Sequence, residues 1–521
     1  MRGSRGVQAC LVVSGLALLF VANNAARLRG AGPEDLFRNW RAFDDFAIGA
    51  GFASRDALPV APYRVRDVIR REKDPRFRDF KERLLTEIAA KSIEPTSFWR
   101  TFPAGDVSPD GRWLIAKRFD DSGRALLLGI GFRLLGGAAP YLLFWLAILA
   151  TLPILVWAHL ELAAVGQRLA GLAFLIAVSL SGFVLDVLAL GYSAVGFHMV
   201  ALLAVVPLAV YAVFGVVTMR GLMGRAAACG VVIAVCSVCR GTTPFLLPGY
   251  AAALTIGVAR LAALDRKRQL AAWAAGLALM LVPYVGLRTW TLDRIEAARD
   301  DYGREPMPQY HDASLLLWKG LGDFDRTKGY AFRDKAGEEA ILRVDPEKRA
   351  HRDAEVLLRQ LIVDDVRSDP LWLAAIVVKR LLATVSLHKL WPWTPWGGMA
   401  IYPAVTPNEG VIDHYYGLTR HADWLAVGKW NAEVPVVLLL LPMLALAALA
   451  FAAGSWPRLA AALPIARRSW LVLGCVALAV LPTPVVITTA TALETECFVV
   501  VHFLALAFLM QSLYLLGGKT R

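Results

Sequence analysis

Cysteine is scarce in this chain, with six in 521 residues scattered almost entirely through apolar blocks, so neither a disulfide framework nor a zinc-ligand spacing is present. Cys236 and Cys239 form a C-x-x-C in "VCSVCRG", but on an apolar stretch that lacks the strand–helix–strand setting of a redox motif. His198, His311 and His388 are too dispersed to argue for a metal site. Acidic residues are outnumbered, 43 against 56 Lys and Arg, for a net charge of +13. A basic excess of this size points to nucleic acid only when it gathers on one soluble domain. Here Lys and Arg sit at the ends of apolar blocks, so the charge reports membrane topology and nucleic acid is excluded as a partner. An internal repeat is also missing, which counts against a transporter built from paired halves.

What the chain has in abundance is apolar sequence: 57% of residues are hydrophobic, and mean hydropathy is +0.50. The hydrophobicity comes in blocks of about 20 residues, the length that crosses a bilayer. The N-terminal block, residues 1–27, is read as an uncleaved anchor, although "VANNAA" gives a weak match to a signal-peptide cleavage site. Further spans are expected at 139–160, 169–188, 200–217, 226–239, 244–259, 271–287, 435–453, 470–488 and 498–516, for about ten transmembrane helices in an all-α polytopic fold.

Charge asymmetry orients them. "MRGLMGR", "ARLAALDRKRQ" and "WPRLAAALPIARR" fall in connections of one parity, and the chain ends "GGKTR". Connections of the other parity, "GYSAVGFH" and "ALETE", carry no Lys or Arg. The positive-inside rule then puts the N-terminus in the cytoplasm of a bacterial inner membrane and the large segments in the periplasm. These are a first loop at 28–123, a second at 288–369 and a Trp-rich segment within 370–434; the membrane bundle takes 124–287, and 435–521 hold the C-terminal spans.

Two apolar stretches break the pattern. Residues 370–391 are long enough to span but carry Lys379 and Arg380 at their centre, and counting them would reverse the parity of the later basic connections. They are read as an interfacial helix anchored by Trp391, Trp393 and Trp396. Residues 124–137, interrupted by Arg133, receive the same reading. The stretch from Tyr63 to Ser92 is dense in both charge signs with apolar residues at helical spacing, which predicts an amphipathic surface helix.

Candidate chemistry lies at the outer face. In "RNWRAFDDFAIGAG", Asp44 and Asp45 are adjacent, so on a helix they point about 100° apart and only one can face a given cleft. That one can serve as general base on an acceptor hydroxyl, while the competing reading is a solvated face balancing Arg38 and Arg41. Asp186, Arg240 and Arg288 stand near the outer ends of their helices, where an Asp and two Arg suit capture of a lipid phosphate; snorkelling Arg and an internally bonded Asp are the alternative. In "GLGDFD", Gly320 and Gly322 permit a tight turn, and Asp323 and Asp325 form an Asp-x-Asp able to take a divalent metal or to act as a plain turn.

This arrangement resembles the membrane-embedded GT-C glycosyltransferases, such as protein O-mannosyltransferases and lipid A aminoarabinose transferases. In that superfamily a first helix leads into a long extracytoplasmic loop with an early acidic residue that acts as base or metal ligand. The resemblance implies a polyprenyl-phosphate sugar as donor and maps the acidic position onto Asp44 or Asp45. It also maps the following interfacial helix onto residues 124–137. The segment "YHDASLLLWKGLGDFDRTKGYAFRDKAGEEA" is similar to one in uncharacterised bacterial GT-C-type proteins with a Gly-Leu-Gly core and a downstream Asp, here Gly320, Leu321, Gly322 and Asp334. Mannosyltransferase-type members carry a Glu, an Arg and an aromatic residue entering a late helix. Glu494, Glu496 and Phe498 match, whereas Cys497 stands where the Arg belongs, which leaves that phosphate contact in doubt. The expectation is a sugar transferase acting on an envelope lipid, glycan or protein, with membrane lipids around it, no certain cofactor and a divalent metal as an option. A transporter or flippase for lipid-linked saccharides is the alternative.

Overall fold

The computed structural model describes residues 75–94, 123–180, 195–261, 264–300, 351–377 and 471–479, with shorter pieces within 14–22 and 314–344 and single residues at 188 and 468. Among these residues the chain is helical, without strands. The helices are α1 (Pro75–Ala89), α2 (Gly123–Leu135), α3 (Leu142–Ala164), α4 (Arg168–Leu180), α5 (Val195–Phe214), α6 (Met219–Cys239), α7 (Leu247–Ala259), α8 (Arg266–Asp300) and α9 (His351–Ser368). Short 3₁₀ turns at Gly136–Tyr141 and Thr243–Leu246 lead into α3 and α7. Among the described residues, four helical stretches are long and apolar enough to cross a membrane: Trp145–Ala164, Gly196–Phe214, Met219–Cys239 and Arg266–Thr291. Thr243–Ala259 is apolar but shorter.

The core forms around α5. Of its apolar window 94% is buried, against 17% for α8, so α5 is the central helix and α8 lies at the rim. Helix α5 packs on α3, α6 and α7, and α6 makes the most extensive pairing of the bundle with α8. Small residues permit that approach: a Cβ at Gly230 of α6 would collide with the carbonyl of Leu279 and lie 2.9 Å from the Cα of Met280. Proline at 153, 207 and 283 sits inside α3, α5 and α8, tolerated where neighbouring helices and hydroxyls re-satisfy the freed carbonyls. Two residues before Pro153, the Thr151 hydroxyl donates back to the carbonyl of Ala147 at 2.7 Å.

The expected spans at 200–217, 226–239, 244–259 and 271–287 coincide with α5, α6, α7 and α8. Helix α8 does not stop at Leu287 but runs to Asp300, since the intervening residues contain neither Gly nor Pro to end it. From the block expected at 470–488, residues 471–479 are helical and bury Val472, Cys475, Val476 and Ala479 in the same core, where Gly249 of α7 accommodates them. Cys229, Cys236, Cys239 and Cys475 are thiols, outside any disulfide, buried in this packing.

Outside the bundle, the helix expected within 63–92 is present as α1. Proline starts it, Leu84 and Ile88 are buried one turn apart, and charged residues cover the other face. Lys91 ends it in the left-handed region at φ 53°, and its carbonyl rests against Gly137, where any side chain would collide with it. Helix α2 turns Leu128, Gly129 and Phe132 inward and leaves Ile130, Arg133 and Leu134 exposed. Its first residue, Gly123, abuts Val238 and Cys239, so α2 covers the end of α6.

A second, smaller core gathers Trp318, Leu321, Tyr330, Leu358 and Ile362 with Trp372 and Ile376. Asp369 accepts from the backbone N–H of Trp372 at 3.0 Å, capping the helix that begins at Pro370. The first turns of the stretch read as interfacial therefore pack into this core; residues 378–434, with Trp391, Trp393 and Trp396, lie outside the described residues.

Candidate functional site

The polar groups of the bundle collect at its two ends. Gly230 faces Leu279 and Leu222 faces Gly257, so α6 and α8 run side by side in one direction with α7 returning between them. Cys239, Thr243 and Trp290 therefore mark one end, and Thr218, Arg260 and Arg266 the other.

At the first end, Arg240 caps α6 with its backbone N–H donating to the carbonyl of Cys236 at 2.7 Å, and only 6% of the residue is exposed. His198, in the first turn of α5, is fully buried, and Arg240 lies within electrostatic reach of it. Its Nδ1 is 3.4 Å from the Thr242 hydroxyl, and its Nε2 has no hydrogen-bond partner among the described residues. The Thr243 hydroxyl donates to the carbonyl of Cys236 at 3.3 Å. Arg124, the second residue of α2, is also buried. A guanidinium, an imidazole and hydroxyls thus share one apolar surround, where a group of opposite charge is held strongly.

Of the three outer residues singled out from sequence, Arg240 and Arg288 lie toward the same end, but they are not brought together. Arg288 is exposed on α8, with its Nη1 donating to the Tyr284 hydroxyl at 2.6 Å. Asp186 lies outside the described residues, as do Asp44, Asp45, Gly320, Gly322, Asp323, Asp325, Asp334, Glu494 and Glu496. Leu321, between the two glycines, is 1% exposed and belongs to the smaller core. Among the described residues no three His, Cys, Asp or Glu side chains gather to hold a metal.

The second end carries a cluster that sequence reading passed over. Glu161, near the end of α3, is buried, and its Oε1 accepts from the Trp157 indole at 3.0 Å and from Arg225 Nε at 2.7 Å. Arg225 of α6 also donates through Nη1 to the carbonyl of Gly221 at 3.1 Å and lies 3.6 Å over the Tyr211 ring. Tyr211 closes the turn between α5 and α6: its hydroxyl donates to the carbonyl of Val216 and accepts from the backbone N–H of Thr218, both at 3.1 Å. Thr218 then caps α6, accepting from the Gly221 N–H at 3.1 Å. Between α3 and α6 a cleft of about 620 Å³ remains open, bordered by Trp157, Glu161, Arg220, Gly221, Gly224 and Arg225. The signal was Glu161 itself, a carboxylate directly after the expected span 139–160; the basic residues of "MRGLMGR" were read for topology alone.

In the smaller core, Trp318, Tyr330 and Trp372 stack, with ring centroids 4.2 and 5.3 Å apart. The Tyr330 hydroxyl donates to Asp365 at 2.7 Å, and Lys328 Nζ donates to the Asp365 carbonyl at 3.1 Å while sitting 4.7 Å over the Trp372 ring. Burial, the bond to Asp365 and the charge of Asp365, in that order, hold the Tyr330 phenol well above its usual pKa.

No family model, curated protein or solved structure matches the chain.

Proposed function

We propose that the chain is a glycosyltransferase of the bacterial inner membrane, moving a sugar from a polyprenyl-phosphate donor to an envelope lipid, glycan or protein at the outer face. The observation that carries this reading is the polarity of the bundle. Arg240, His198 and Thr242 lie at the end remote from the Lys- and Arg-rich connections, and α2 is laid across that end. With the basic connections in the cytoplasm, this end faces the periplasm, on the side of the first loop that carries Asp44 and Asp45.

In the reaction, one of Asp44 and Asp45 takes the proton of the acceptor hydroxyl as its oxygen bonds to the anomeric carbon. The bond from that carbon to the phosphate oxygen breaks, and polyprenyl phosphate leaves. Arg240 is suited to hold the phosphate, because a guanidinium offers planar paired donors and a low-dielectric surround strengthens the contact.

The test is release of polyprenyl phosphate from a panel of polyprenyl-phosphate sugars by the protein in lipid nanodiscs, wild type against the Asp44→Asn, Asp45→Asn double variant. Turnover in the wild type and none in the variant is expected. Saturable donor binding without turnover in either protein would replace transfer by transport.

A further inference from the structure

The cleft at the other end is amphiphilic along one face of α6. Arg220, Gly221, Gly224 and Arg225 occupy its mouth, and Ala228 and Val231 continue the face of Gly224 along the helix, one and two turns on. Val231 is 57% exposed, and nothing lies within 4 Å of where a Gly224 Cβ would be. The charges do not cancel. Glu161 is occupied by Arg225 and Trp157, whereas Arg220 is exposed and has no ion-pair partner among the described residues. The cleft therefore holds two guanidinium groups and one committed carboxylate. It lies where two membrane-length apolar helices end, with the Trp157 indole beside it, the depth at which tryptophan meets headgroups.

We propose that this cleft binds an anionic phospholipid of the adjoining leaflet, with its phosphate at Arg220 and Arg225 and an acyl chain along Gly224, Ala228 and Val231. The apolar strip decides between a lipid and a free anion, because phosphate alone gains nothing from Val231. Arg225 is fixed in advance by Glu161 and Tyr211, so little side-chain entropy is lost on binding. The proposal depends on the helices lying in a bilayer and not on sugar transfer, so either can fail without the other.

The experiment uses the full chain in phosphatidylcholine nanodiscs containing a trace of photoactivatable phosphatidylglycerol or, in parallel, photoactivatable phosphatidylcholine, followed by mapping of the labelled peptides. Phosphatidylglycerol is expected to label residues 218–235 about tenfold more than phosphatidylcholine, whose phosphate is the same but whose quaternary ammonium is repelled by two guanidinium groups. Arg220→Gln and Gly224→Leu should each lower that labelling, and Arg266→Gln, on an exposed residue of α8, should leave it unchanged. Equal labelling by the two probes in the wild type would overturn the proposal whatever the variants do. Loss of labelling in Arg220→Gln with none in Gly224→Leu would overturn the acyl-chain contact in favour of a site for an anion alone.

Discussion

At one end of α6, Arg225 is three-quarters covered and held by a carboxylate, a carbonyl and an aromatic ring; at the other, Arg240 is almost wholly covered beside a fully buried histidine. The first arginine is fixed in place by its partners and borders an open cleft. The second sits where the bundle is closed over by α2, with its backbone N–H donating to the carbonyl of Cys236. Arg225 is preset at the edge of an open cleft by its carboxylate and ring partners, whereas Arg240 is enclosed with an imidazole and hydroxyls. The distinction assigns the two ends different work although both carry basic residues.

The largest effect is expected from breaking the pair of Glu161 with Arg225. Glu161→Leu removes the acceptor of both Arg225 and Trp157 and should cost about 3 kcal/mol, the lower end for a broken buried pair because 27% of the Arg225 side chain is exposed. Equilibrium unfolding in mixed micelles measures it. Adding Arg225→Met should recover part of the loss; a double variant as unstable as the sum of the single ones would deny the coupling.

Next comes the approach of α6 to α8. Gly230→Ala drives a methyl into the backbone at Leu279 and should cost about 2 kcal/mol in the same assay. Gly224, two turns away, meets nothing, so a substitution there has the opposite sign and appears last.

The smaller core gives an intermediate effect with a pH signature. Tyr330→Phe loses the bond to Asp365 and should cost about 1 kcal/mol. Because folding raises the Tyr330 pKa, the unfolded phenol ionises first as pH rises, so stability of this core is complete below about pH 10 and falls above it. Tryptophan fluorescence followed through alkaline titration should show this loss in the wild type and lack it in Tyr330→Phe.

The smallest effect is Gly224→Ala, which should stabilise by up to about 1 kcal/mol, since an exposed helix interior gains from alanine and no neighbour objects. Destabilisation there would contradict the open cleft.

Much of the bundle was legible in the chain because apolar blocks of membrane length leave few alternatives. Helices α5, α6, α7 and α8 lie where the blocks at 200–217, 226–239, 244–259 and 271–287 stand. The cluster around Glu161 was not legible, because pairing Glu161 with Arg225 requires knowing that α3 and α6 are neighbours across 64 residues. The burial of Arg240 and exposure of Arg288 were equally hidden, since one follows the last turn of α6 and the other sits on an outward face of α8, a difference set by packing alone. The smaller core escaped for a related reason: Trp318, Tyr330 and Trp372 carry no short-range pattern and meet only through packing. The early aspartates and the late glutamates lie outside the described residues, so their roles rest on the sequence alone.

Orientation is the claim on which the roles of both ends depend, and impermeant maleimide labelling of intact cells tests it. Four cysteines, Cys229, Cys236, Cys239 and Cys475, are buried and shielded, so replacing Cys10 and Cys497 by Ser leaves a quiet background. The account predicts that Gly241→Cys, in the exposed turn between α6 and α7, labels in intact cells. Arg268→Cys, at the start of α8 where the native side chain is 73% exposed, should label only after the membrane is permeabilised. Labelling of the second variant but not the first in intact cells would invert the bundle and contradict sugar transfer at the outer face.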